Sequence, residues 1–120
     1  MKIAIVEDDI NMRKSLEIAM GDYQEFEIKT FKNAKDALKS LDDTFDLIIT
    51  DINMPNMDGI ELIKALKGTP NSKYTPILVI TTESGETLKK KGREAGASGW
   101  MTKPFSPDTM IKAVNKLAAD

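Results

Sequence analysis

The sequence predicts a doubly wound α/β fold, with one parallel sheet covered by helices on both faces. Three observations carry this. Short apolar runs alternate five times with segments of helical periodicity, the pattern of repeated strand–helix units with right-handed crossovers. Three of the runs, IAIV, LIIT and ILVI, are continuously apolar, as expected of strands buried on both faces. At 120 residues and 13.3 kDa, with 41% hydrophobic residues, the chain suits one domain with a real core.

The predicted strands are Lys2–Val6, Glu27–Phe31, Leu47–Thr50, Ile77–Ile80 and Gly99–Thr102. The second and fifth are more mixed in composition and are expected nearer the sheet edges. In the first helix Met12, Leu16, Ala19 and Met20 share a face, and Gly21 can end it. Asn33 reads as the N-cap of a second helix that turns Ala34, Ala37, Leu38 and Leu41 inward. Gly59 opens a third, with Ile60, Ile63 and Leu66 on one face. The fourth, from about Glu86 to Ala95, has Gly92 at its middle and no large apolar residue beyond Leu88, so it is expected to be loosely held. Ser106-Pro107-Asp108 starts the last helix with a capping hydroxyl, a first-turn proline and an acid near the positive end of the dipole; Met110, Val114 and Leu117 face the core.

Several function classes drop out on composition. The chain has neither cysteine nor histidine, which removes disulfides, thiol catalysis, Ser-His triads and most zinc sites. A net charge of −2 gives no reason to expect binding to nucleic acid or an anionic membrane. No apolar run approaches the roughly 20 residues needed to span a bilayer, and Ile3–Val6 runs straight into Glu7-Asp8-Asp9, unlike a signal peptide. The expected location is the cytoplasm, and the expected organisation is a single domain over residues 1–120 with no output domain.

In doubly wound sheets the functional crevice lies beyond the carboxyl ends of the strands. Here those ends lead into Glu7-Asp8-Asp9, Asp51-Ile52-Asn53, Thr81-Thr82-Glu83 and Lys103-Pro104. Two carboxylates about 4 Å apart repel by about 4 kcal/mol at an effective dielectric near 20, so such a cluster calls for a cation. Lys103 supplies one. All-oxygen ligation without His or Cys suits a hard divalent ion, Mg²⁺ better than Ca²⁺. Each residue alone has a plainer reading: Asp9 as a helix cap, Lys103 as a structural ion pair, Thr81 as strand, the Lys89-Lys90-Lys91 run with Arg93 as a solvated helix face, Trp100 as core. Their convergence at one end of four strands points to function.

Glu7-Asp8, Asp51, Thr81 and Lys103-Pro104, in this order and with "DINMPNMDG" and "TKPF", resemble the receiver domain of two-component response regulators across essentially the whole chain. "NMPNMDG", "AGASGW" and "TKPF" are most similar to the single-domain chemotaxis regulators of that family. The resemblance implies a flavodoxin-like (βα)5 fold with strand order 2-1-3-4-5. It makes Asp51 the phosphoacceptor for a partner histidine kinase and Mg²⁺ the cofactor, held by Asp8 and Asp51 directly, by Glu7 through water and by the Asn53 carbonyl. Lys103 and Thr81 would engage the phosphoryl group, and a cis peptide bond before Pro104 would aim Lys103 inward. Asn53 and Glu83 occupy the positions that tune dephosphorylation, with identities implying a short-lived phosphoryl group. Thr81 and Trp100 form the implied switch pair, Trp100 standing where a tyrosine or other aromatic is usual.

Implied partners are a chemotaxis-type histidine kinase, a flagellar motor switch protein and a phosphatase, with the chain a monomer. It would be no enzyme beyond its own phosphorylation and autodephosphorylation. Three alternatives stand beside this. One is a phosphorelay intermediate or phosphate sink outside motor control. Another is a Mg²⁺-dependent aspartate-nucleophile phosphatase, which usually needs an acid where this chain has Asn53. The last is a dinucleotide-binding domain, which lacks its Gly-x-Gly-x-x-Gly after the first strand.

Overall fold

The computed structural model describes residues 1–21, 26–39, 44–52, 59–82 and 85–118. Five strands and five helices alternate: β1 (Lys2–Val6), α1 (Ile10–Gly21), β2 (Glu27–Phe31), α2 (Ala34–Leu38), β3 (Leu47–Thr50), α3 (Gly59–Lys67), β4 (Ile77–Thr81), α4 (Glu86–Ala95), β5 (Gly99–Thr102) and α5 (Pro107–Ala118). The strands form one parallel sheet in the order β2-β1-β3-β4-β5, which is the flavodoxin-like fold. The mixed strands β2 and β5 are its edges, and the continuously apolar β1, β3 and β4 lie inside.

Alternation along the strands splits the core into two layers. Ile3, Ile5, Leu47, Ile49, Leu78 and Ile80 point to one face, where Leu16 and Met20 of α1 and Met110, Ile111 and Val114 of α5 cover them. Ala4, Val6, Ile48, Ile77 and Val79 point to the other, beneath Ala34 and Ala37 of α2 and Leu62, Ile63 and Leu66 of α3. The buried stripes of α3 and α5 are wider than the sequence reading assigned. Leu62 and Ile111 are buried, whereas Ile60 and Leu117 are half-buried at the margin. Leu41 of the expected second helix lies outside the described residues.

The expected caps form. Asp9 Oδ1 accepts from Asn11 N at 2.8 Å, Asn33 Oδ1 from Asp36 N at 2.7 Å and Ser106 Oγ from Thr109 N at 3.2 Å. The two ends of α4 are held differently. Gly85, its N-cap, makes no side-chain capping bond. At the other end Gly96 adopts φ 123°, and its N–H and that of Ala97 close on the Gly92 carbonyl at 3.2 and 2.9 Å. The Lys67 stem lies across Gly96, where an added Cβ would meet Lys67 Cγ at 2.9 Å, while its ammonium donates to the Thr75 carbonyl at 2.6 Å and the Lys73 carbonyl at 3.3 Å. Burial there pulls the Lys67 pKa below its ordinary value.

Gly92 is the buried residue of α4, and the Trp100 ring is the reason a glycine stands there. A Cβ at position 92 would lie 2.7 Å from Trp100 Cζ3 and 3.3 Å from Cε3.

Candidate functional site

The carboxyl edge of the sheet gathers the site. β1 runs on past its last paired residue: Glu7 N donates to the Phe31 carbonyl at 3.0 Å, which fixes Glu7 at the strand end with its side chain fully buried. Next door, Asp51 N donates to the Val6 carbonyl at 3.1 Å and extends β3 by the same device. The β5 exit then brings Lys103 across. Its N–H donates to the Thr81 carbonyl at 2.7 Å, and the Lys103–Pro104 peptide is cis, as the family resemblance implied.

Lys103 Nζ donates to Glu7 Oε1 at 2.7 Å and to Asp51 Oδ2 at 2.9 Å. The other Asp51 oxygen, Oδ1, accepts from Ile52 N at 2.6 Å. Asp51 is buried, and its backbone is braced from behind: Gly59 N donates to the Ile52 carbonyl at 2.8 Å, and a Cβ on Gly59 would lie 2.5 Å from Ile52 Cα and 2.6 Å from the Asp51 carbonyl oxygen. Only a glycine lets the first turn of α3 come this close to the acid's main chain.

Carboxylate oxygens of Glu7, Asp8 and Asp51 all lie within 4.8 Å of one another. Asp8 is exposed, so the cluster opens to solvent on its side. Burial pushes the Glu7 carboxyl up to about 7; the Lys103 hydrogen bond opposes this shift and the Asp51 charge adds to it. Burial also works against the Lys103 charge, but the hydrogen bonds it donates to Glu7 and Asp51 outweigh it and hold the ammonium above its ordinary pKa. One lysine against three acids leaves an oxygen-only pocket short of positive charge and open on one side. That donor set fits a hard divalent cation that retains some of its water.

Of the residues the sequence singled out, Glu7, Asp8, Asp51 and Lys103 are thus brought together. Asp9 is not among them, because its carboxylate caps α1. Thr81 is the last residue of β4, fully buried and paired in register with Thr102. Trp100 lies on β5 beside Val79, half-buried against Gly92. Asn53 and Glu83 fall outside the described residues. Arg13 escaped the sequence reading: its Nη1 donates to the carbonyls of Glu7 at 2.9 Å and Asp8 at 3.4 Å. A side chain that bonds to main-chain carbonyls leaves no residue pattern by which to find it.

A five-stranded sheet in this order, with an acid cluster and a lysine at its carboxyl edge, defines the receiver class of signalling domain. Residues 3–115 match the response regulator receiver domain, and the chain belongs to that family. It is 46% identical over 117 residues to the transcriptional regulatory protein FlgR of Helicobacter pylori, an alignment that covers 95% of this chain and 29% of FlgR. It is 32% identical over 121 residues to the chemotaxis protein CheY-3 of Vibrio cholerae, covering 98% of this chain and 91% of that protein. The crystallised chemotaxis protein CheY4 of Vibrio cholerae matches with a TM-score of 0.91 at 38% identity over 97% of both chains. The chain is therefore a CheY-like receiver of two-component signalling that spans less than a third of FlgR and nearly all of the chemotaxis relative. Among the described residues no helix is long and apolar enough to cross a membrane.

Proposed function

We propose that Asp51 accepts a phosphoryl group from a phosphohistidine on a partner histidine kinase, and that the phosphorylated chain changes its affinity for a target protein. The observation that carries this reading is Asp51 itself: a buried carboxylate, fixed at a strand end, with one oxygen on Ile52 N and the other on Lys103 Nζ. A carboxylate oxygen attacks phosphorus, the P–N bond breaks, the electron pair leaves with the imidazole and an acyl phosphate forms. Positioning carries much of the catalysis of such a transfer, and a rigid strand end supplies it. Lys103 is within reach to pair with the incoming oxygens, and Thr81 is the hydroxyl of the adjacent strand.

Asp8 and Asp51 would hold Mg²⁺ directly, Glu7 through water and Asn53 by its carbonyl. When bound, the ion neutralises phosphoryl oxygens as charge shifts during transfer. Apart from its own phosphorylation and dephosphorylation the chain turns over no substrate; with Asn53 two residues after the acceptor, no second aspartate stands there to act as acid-base catalyst of a phosphatase. Asn53 and Glu83 favour rapid loss of the phosphoryl group, and a phosphorylated form stable for many hours would refute that.

The output surface in this reading is the face of α4, β5 and α5, where Trp100 follows Thr81 inward on phosphorylation. The likeness to CheY-3 and CheY4 supports a flagellar motor switch protein as target and a chemotaxis kinase as donor. A second reading, in which the receiver acts outside motor control, draws support from the higher identity to FlgR, a transcriptional regulatory protein. Fluorescence of Trp100, the single tryptophan, tests the common core of both. Mg²⁺ followed by beryllofluoride should change the emission of the wild type and leave Asp51→Asn unchanged. No response from folded wild-type protein would refute phosphorylation-dependent switching.

A further inference from the structure

The β1–α1 connection must hold Glu7 and Asp8 beside Asp51 although the three carboxylates repel one another. Asp9 secures the helix side of this connection by capping α1, and Glu7 Oε2 accepts from Asp9 N at 3.4 Å. The strand side is secured from one turn into the helix. Side chains of an α-helix lean toward its N-terminus, so Arg13 can fold back over the first turn. Its Nη1 reaches two successive carbonyls, those of Glu7 at 2.9 Å and Asp8 at 3.4 Å, and the side chain is half-buried in doing so. Both bonds are charge-assisted, and a guanidinium keeps its charge at any accessible pH.

From this geometry we infer that Arg13 is a positioning residue for the acid cluster, pinning the Glu7–Asp8 main chain so that the Asp8 carboxylate stays in range of a divalent ion. The inference rests on the proposed metal-binding role of the cluster. It has a sign that separates it from electrostatics. As a mere positive charge near a cation site, Arg13 would weaken ion binding, and its removal would tighten it. As a tether, its removal loosens the ligand loop and weakens binding; loss of an outer partner of metal ligands typically costs 10- to 100-fold in affinity.

The test is calorimetric titration of the full chain with MgCl2, without a phosphodonor, for wild type, Arg13→Ala, Arg13→Lys and Asp8→Asn. Arg13→Ala should bind Mg²⁺ about tenfold more weakly than wild type. Arg13→Lys, which keeps the charge and a donor of similar reach, should recover most of that loss, and Asp8→Asn should abolish binding. If Arg13→Ala does not fold, Arg13→Gln keeps most of the stem and carries the same expectation. Equal or tighter binding by Arg13→Ala or Arg13→Gln, or an Arg13→Lys no better than they are, overturns the tether. A wild type that takes up no Mg²⁺ overturns the metal-site reading itself, a different result from one that binds and is indifferent to Arg13.

Discussion

Replacing Gly92 by alanine sets two effects of opposite sign against each other. On helix propensity alone, alanine in the middle of α4 should stabilise the protein by about 1 kcal/mol. The structure reverses this, because the new Cβ would lie 2.7 Å from Trp100 Cζ3 and 3.3 Å from Cε3. Carbon atoms prefer about 3.5–4.0 Å, so the ring or the helix must give way by roughly 1 Å. The indole is rigid and anchored on β5 beside Val79, with Ile60 Cδ1 also near position 92, so it cannot yield as a flexible chain end would. Overpacking of this kind costs about 1–3 kcal/mol. The net expectation is destabilisation of about 1 kcal/mol, a melting temperature lower by about 4 °C for a domain of this size. Thermal unfolding followed by circular dichroism measures the shift, and Trp100 emission should move to longer wavelength as the ring is displaced toward water. In a Trp100→Ala background the clash is gone, and the same Gly92→Ala change should then stabilise, giving a coupling energy between the two sites. A Gly92→Ala protein that melts higher than wild type with unchanged emission would refute the seating of the indole on Gly92.

Other expectations follow from the site and its supports. Gly59→Ala presses a methyl into the main chain of Asp51 and Ile52 and should destabilise by about 3 kcal/mol, read from urea unfolding, with slower phosphorylation of whatever remains folded. Asn33→Ala removes the cap on Asp36 N and should cost about 1 kcal/mol in the same assay, with no effect on Mg²⁺ binding. Lys103→Met leaves the buried Glu7 and Asp51 without their shared cation and should destabilise metal-free protein by about 3 kcal/mol, the range for a broken buried ion pair. For Glu7, a folded pKa near 7 against an ordinary value of 4.5 means that the native state holds a proton the unfolded chain releases between those values. Its contribution to stability is therefore full below about pH 4.5 and declines as pH rises to 7, so in chelator the wild type should lose stability relative to Glu7→Gln across that window. Asp51→Asn, by removing a neighbouring negative charge, should lower the Glu7 pKa as followed by carboxyl-carbon NMR.

Much of this architecture can be read from the chain because its strongest signals are local. Ile3–Val6, Leu47–Ile49 and Ile77–Ile80 are apolar without a break, as suits short strands covered on both faces, and the caps at Asp9, Asn33 and Ser106 use side chains within three residues of their partners. The acid cluster was legible for a related reason: in a parallel sheet every strand exits at the same edge, so residues after the strands meet whatever their separation. What escaped depended on distance or shape. Leu62 and Ile111 widen the buried stripes because α3 and α5 pack against neighbouring helices as well as the sheet and so bury more than one row. Arg13 acts on main-chain carbonyls, which are the same in every residue. Gly92 read as a weakness of α4 because its purpose, room for an indole eight positions later, is a property of the packed molecule.

The unequal ends of α4 give that helix the mechanics of a lever. Its C-terminal end is closed by the Gly96 turn and strapped by the Lys67 stem, whose ammonium is in turn fastened to the carbonyls of Thr75 and Lys73. Its N-terminal end, adjoining the strand exit at Thr81, has no side-chain cap. Ten residues at 1.5 Å each make an arm of about 15 Å, so a tilt of about 10° about Gly96 carries the Glu86 end through roughly 2–3 Å while Ala95 hardly moves. Gly92 and its indole sit close to the fulcrum, where small displacements meet the tightest packing, and the longer excursion falls to the Glu86 end.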